Sequence, residues 1–206
     1  GSRASRLLEE LAGPELLARS LALATANALL AEGPASPAAH EGDILEHVEI
    51  RDGDQVCMVG CFLPVLASLQ ERHVTVKAVD QEPKPRSLPA EEVERLLPAS
   101  QVAIITATSL INGTLGHLLH LASGCREVAL LGPSTPLAPE AFRATPITFL
   151  AGIRVQEPLP VLQCIAEGQG FREFKRHVRK LNIRLAAALT QPASSGRAAG
   201  PGPWAC

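Results

Sequence analysis

Three short stretches of this 206-residue chain gather side chains that bind polar ligands. The first is Gly60-Cys61-Phe62-Leu63-Pro64, where a lone glycine allows a tight turn or a close backbone approach to a ligand. It is not a GxGxxG run, so the dinucleotide fingerprint is absent. The second is Thr106-Ala107-Thr108-Ser109-Leu110-Ile111-Asn112-Gly113-Thr114. Asn112 or Thr114 can cap the helix expected next, but a cap needs one such side chain and this stretch has a surplus. The surplus favours an anionic or polar ligand. The third is Gly132-Pro133-Ser134-Thr135-Pro136, in which proline pre-forms the loop and Ser134 and Thr135 offer donors for a carboxylate or phosphate.

Other chemistry-bearing residues carry less. Asp80 falls near the end of a β-branched run, where acidic residues of nucleotide-binding sheets meet ligand hydroxyls. Cys57 and Cys61 are four apart, which on a strand separates them by roughly 13 Å, so they do not chelate jointly. Cys57 reads as core, and Cys61 is the one thiol with a plausible role. His117 and His120 share a helix but point away from its apolar face. His40, Glu41, Asp43, Glu46 and His47 are metal-capable yet lack ligand spacing, and a solvated loop is expected there. No stoichiometric zinc is expected to remain on the purified protein. No Ser/His/Asp order or paired-carboxylate arrangement stands out, and which residue would be catalytic is left open.

These loops need a frame that brings them to one edge. Short apolar runs at Gln55–Phe62, Val74–Val79, Gln101–Ala107, Glu127–Leu131 and Ile147–Leu150 alternate with helical stretches at Leu63–Arg72, Glu91–Leu97, Thr114–Ala122, Pro158–Glu167 and Phe171–Leu181. This alternation predicts an α/β fold, Rossmann-like and doubly wound, with a mainly parallel sheet of about five strands flanked by helices. The ligand loops then lie at the carboxyl ends of the strands. Upstream, Pro14 to Ala31 reads as a helix apolar nearly all round, hence buried on more than one side, with Asn27 against the core.

The expected organisation is a helical segment and connector over 1–45, the α/β domain over 46–185, and a disordered Pro/Gly-rich tail over 186–206. The chain opens Gly1-Ser2 without Met, as a cloning scar would, and is expected to be a fragment or to be trimmed at its N-terminus.

Composition narrows the partners. The formal charge is −2 and only 3% of residues are aromatic, so neither nucleic acid nor an anionic membrane is an expected partner. Five cysteines without paired spacing predict reduced thiols and a cytoplasmic protein. Self-association into a homo-oligomer stays open, as does any cofactor.

The runs DQVCMVGCFLPVL, VAIITATSLINGTLGHLL, VALLGPSTPLAPEAF and FLAGIRV, with LARSLALATANALL upstream, resemble the putative heavy-metal chelation family, a Rossmann-like domain of unknown function. The resemblance spans about residues 15–182. Its motif positions here are Gly60, Pro64, Thr106, Asn112, Thr114, Gly132, Pro133, Ser134, Thr135 and Pro136. The family often carries an enolase N-terminal-like domain; the resemblance implies that most of one is missing here, as in a fragment or a short family member. The resemblance implies a link to metal or cobalamin metabolism and brings no mechanism. The ligand-binding set expected is Gly60, Cys61, Asp80, Thr106, Thr108, Asn112, Gly113, Thr114, Gly132, Pro133, Ser134 and Thr135. These would hold a small anionic metabolite or a metal chelate. An enzyme using the same crevice, with Asp80 or Cys61 as acid or base, and a structural or regulatory partner domain are the alternatives.

Overall fold

The computed structural model describes residues 3–185 apart from 35, 37 and 83; the tail expected over 186–206 lies outside the described residues. Helices α1 (Ala4–Glu9) and α2 (Leu16–Glu32) precede the short strand β1 (Ala39–Glu41). Next come β2 (Gln55–Val59), α3 (Leu63–Gln70), β3 (Thr75–Asp80), β4 (Ser87–Pro89) and α4 (Val93–Leu96). They are followed by β5 (Val102–Thr106), α5 (Leu115–Leu121), β6 (Glu127–Leu131) and β7 (Phe149–Val155). The described chain ends with α6 (Pro158–Ala166), α7 (Phe171–Phe174) and β8 (Val178–Arg184).

All eight strands form one sheet in the order β1-β8-β7-β6-β5-β2-β3-β4. The six from β7 across to β4 are parallel, while β8 runs antiparallel to β7 and β1 antiparallel to β8. Successive side chains of a strand point to opposite faces, and here both faces are covered. Cys57, Ala103, Ile105, Val128 and Leu130 pack on one side with Leu23 of α2, Leu97, Leu115, Leu118 and Phe142. Val56, Met58, Val102, Ile104 and Ala129 pack on the other with Ile44, Leu45, Leu66 and Leu69. Burial on both faces is why these strands read as continuous apolar runs.

The five strands expected from the sequence are present as β2, β3, β5, β6 and β7, and three more bring the count to eight. Strands β1 and β4 have three residues each, too few to show an alternation. Strand β8 corrects a helix: Phe171–Leu181 is helical only as far as Phe174, with a 3-10 turn to His177. Pairing with β7 over seven residues, Val155↔Val178 to Phe149↔Arg184, overrides the local helical pattern.

The expected connector is also more than a loop. Ile44, Leu45 and Val48 are buried in it. Its polar residues tie down the sheet edge rather than sit loose in solvent. Glu41 pairs with Arg179 at 2.9 Å, Asp43 with Lys180 at 3.2 Å, and His40 stacks on His47 with ring centroids 5.6 Å apart. Helix α2 departs from its expected double-sided burial. Only Ala22 and Leu23 are buried, and Leu17 is 72% exposed. Its all-round apolar composition meets a single layer of protein. Among the described residues, no helix is long and apolar enough to cross a membrane.

Candidate functional site

The sheet order reverses between β2 and β5: β3 and β4 continue on one side, β6 and β7 on the other. The carboxyl ends of β2, β3 and β5 open a cavity of about 360 Å³ there.

Gly60 follows β2 directly with φ of 89°, in the left-handed region that disfavours side chains. A Cβ at this position would stand 2.9 Å from the Cβ of Thr106, so the ends of β2 and β5 approach too closely for any other residue. The Gly60 N–H donates to the Val79 carbonyl at 2.8 Å, and the Cys61 N–H donates to Asp80 Oδ2, also at 2.8 Å. Asp80 is the last residue of β3. Its Oδ1 accepts from the Glu82 N–H at 3.1 Å, and Lys84 Nζ donates to its Oδ2 at 2.8 Å. Burial works against the charge of Asp80, but the Lys84 ammonium and the two backbone N–H groups outweigh it and hold the carboxyl below its ordinary value. Cys61 is pushed the other way, by burial first and by the Asp80 charge second, so its thiol stays protonated at neutral pH.

The Thr106–Thr114 stretch forms a 3-10 turn over Ala107–Leu110 and then the start of α5. Thr106 caps that turn by accepting from the Thr108 N–H, and the Thr106 and Thr108 hydroxyls lie 2.9 Å apart. The buried Ser109 hydroxyl donates to the Thr106 carbonyl at 2.6 Å. Asn112 Oδ1 accepts from the Thr114 N–H at 3.1 Å and from the Thr114 hydroxyl at 2.7 Å. Neither Asn112 nor Thr114 caps α5 through its side chain as expected; together they close the turn before it. Gly113 has φ of 77° and lies against the Arg19 guanidinium.

Gly60, Cys61, Asp80, Thr106, Thr108, Asn112 and Thr114 thus line one cavity. The third loop faces elsewhere. Pro133 and Thr135 line a second, mainly apolar cavity of about 460 Å³ with Asn27, Leu30, Leu137 and Arg154. Asn27 donates to the Ser134 carbonyl at 3.0 Å, and the Thr135 N–H to the Gly132 carbonyl at 3.0 Å. The Thr135 hydroxyl, in a residue 2% exposed, has no hydrogen-bond partner among the described residues. Gly113, Gly132 and Ser134 line neither cavity and shape the loops instead. Pro64 is the second residue of α3, and Pro136 is buried.

Reasoning from sequence missed Lys84 on the first cavity's wall; it named Phe62, Ser109 and His117 but left them out of the ligand-binding set. His117 does point away from the core, as expected, and meets Glu94 at 2.6 Å. The spacing of Asp80 and Lys84, four residues apart, was the one signal available for Lys84. Cys57 is fully buried, and burial pushes its thiol up to about 12.

These residues do not fit a directly ligated metal. Among the described residues, no group of three or more His, Cys, Asp or Glu side chains is placed to hold one. In the cavity itself, Asp80 is engaged by Lys84 and two N–H groups, and Cys61 would first have to lose its proton.

Two solved structures share the fold. A protein of unknown function from Pyrococcus horikoshii superposes with a TM-score of 0.81 at 21% identity, over 89% of this chain and 76% of that one. A protein of unknown function from Desulfitobacterium hafniense gives 0.71 at 22% identity, over 89% and 75%. Both come from the DUF364 family. No curated protein matches the chain. The model of that family, described as "Putative heavy-metal chelation", matches residues 43–184. The chain belongs to the DUF364 family.

Proposed function

We propose that this is a Rossmann-like, doubly wound binding domain whose cavity at the ends of β2, β3 and β5 holds a small oxygen-rich metabolite, anionic or itself a metal chelate. One observation carries the reading. The strand order reverses at the point where Gly60, Asp80, Lys84 and the hydroxyls of Thr106, Thr108 and Thr114 surround about 360 Å³. Open α/β sheets bind ligands at such reversals, outside the carboxyl ends of their strands. Backbone turns and hydroxyls supply most of the contacts, with Asn112 bracing the loop. A metal enters this reading only inside a chelate, because the described side chains offer it no ligand set.

The enzyme alternative asks Asp80 or Cys61 to move a proton. Asp80 is held below its ordinary range and Cys61 above its own, so both are displaced from the neutral values that suit general acid–base work. The geometry therefore favours binding over turnover.

The test is native mass spectrometry of the protein isolated from its source, alongside the Thr108→Val variant, whose hydroxyl lines the cavity and meets only that of Thr106. A small molecule that leaves wild type only on denaturation, and that the variant holds weakly with little change in Tm, is the expected result. Ligand-free wild type, or a variant that retains the molecule equally well, refutes the reading.

A further inference from the structure

We infer that the occupant of this cavity carries the cis diol of a ribose, read by Asp80, and is a single ribonucleoside unit rather than a dinucleotide. The inference rests on the cavity being the ligand site.

Its first support is position. Asp80 ends β3, the strand beside β2, and lies twenty residues beyond the Gly60 turn. In nucleotide-binding parallel sheets the acidic group about 20 residues past the glycine turn accepts from the ribose hydroxyls. The second support is acceptor capacity. An ionised carboxylate offers about four lone-pair positions, and Cys61 N, Glu82 N and Lys84 Nζ occupy three of those of Asp80. A cis diol brings two O–H donors. One position is open, and the second belongs to Lys84, whose side chain is 42% exposed and can swing aside. The backbone bonds fix the carboxylate, 9% exposed, before any ligand arrives. Phe62, Val79, Ala90 and Val93 provide an apolar wall in the same cavity, suited to the flat face of a base.

The β2–α3 turn argues against a pyrophosphate. It has one glycine where a dinucleotide site has three. Pro64 stands in the first turn of α3 and removes one of the N–H groups that would face a phosphate. The cavity volume is at the small end of ligand sites.

The experiment is an amide-NMR titration of the full chain, following Gly60, Asp80 and Thr106, with three probes. These are the four ribonucleoside 5′-monophosphates, their 2′-deoxy counterparts, and inorganic phosphate. The proposal expects at least one ribonucleotide to shift these resonances, with its deoxy counterpart binding about tenfold or more weakly, as loss of a charge-assisted hydrogen bond requires. Equal binding of the pair overturns it. Shifts with phosphate but with none of the ribonucleotides overturn the diol while leaving the cavity as an anion site. No shift with any probe overturns the ribonucleoside assignment alone, and the native mass spectrum of the protein from its source then decides separately whether the cavity holds another ligand. Varying the ligand keeps the outcome independent of how well an Asp80 variant folds.

Discussion

Replacing Asp80 with Asn removes the charge at the cavity while keeping the side chain's shape. The native carboxylate accepts three hydrogen bonds, two of them from the backbone turns at Cys61 and Glu82. Asn offers one oxygen, so at least one backbone N–H beside a side chain only 9% exposed loses its acceptor. An orphaned, partly buried N–H costs about 1–3 kcal/mol. The lost Lys84 contact adds up to about 1 kcal/mol, because that ammonium is easily re-solvated. Asp80→Asn is therefore expected to lose roughly 2–3 kcal/mol near neutral pH, and Lys84→Met no more than about 1 kcal/mol. The folded-state pKa of Asp80 lies below the value in an unfolded chain. Its stabilisation is complete above the ordinary aspartate range and is lost as pH falls through the folded value, so the gap between wild type and variant narrows below about pH 4. Urea unfolding followed by circular dichroism across that range measures the gap. A difference under about 0.5 kcal/mol at neutral pH, or one that ignores pH, would show that Asp80 is not the anchor of these turns.

Three further expectations follow from the packing. Glu127 is 3% exposed, accepts from the Thr148 hydroxyl at 2.5 Å and pairs with Arg184 at 3.0 Å, so Glu127→Ala should cost about 2–3 kcal/mol. Chemical denaturation giving a value near zero would contradict this. Thr135→Val should be neutral or raise Tm slightly in differential scanning fluorimetry, since the hydroxyl it removes has no partner among the described residues. A clear drop in Tm would mean that something bonds that hydroxyl. Cys57, with its thiol pushed up to about 12, should escape iodoacetamide in the native protein at mildly alkaline pH. Mass spectrometry finding it labelled faster than the chain unfolds would be inconsistent with its burial.

How much of this was legible in the sequence follows from range. Strands β2, β5 and β6 were readable because burial on both faces writes a nearly continuous apolar run into each, whereas β3, exposed over its first half, was read from its β-branched residues. Val102–Thr106 and Glu127–Leu131 are examples, with every residue but the last of each buried. Strand β8 was not, because Val178–Arg184 acquires its identity from the ladder with β7, a partner more than twenty residues away. The polar loops that line the cavities were singled out by composition, but their division between two cavities was hidden. Nothing local distinguishes Thr135, which faces the second cavity, from Thr108, which faces the first. Asp80 and Cys61 were both picked out, yet the hydrogen bond between the Cys61 N–H and the Asp80 carboxylate depends on β2 and β3 lying side by side. That contact joins the larger effect of Lys84 in holding the Asp80 carboxyl below its ordinary value against burial.

The two three-residue strands at the sheet's margins decide how much of its two edges stands open. An unpaired margin is a template on which another molecule can add strand to strand. At one side the outermost strand is Ser87–Pro89, too short to template much and ended by a residue with no N–H to give. At the other, Ala39–Glu41 lies against the middle of β8, with Glu41↔Leu181 and Ala39↔Ile183 in register. A chain shortened to start at Asp43, where the family match begins, would leave all seven residues of β8 unpaired on that side, three of them newly so. The residues just ahead of the matched segment thus cover the middle of that edge, and trimming to the family boundary would remove the cover.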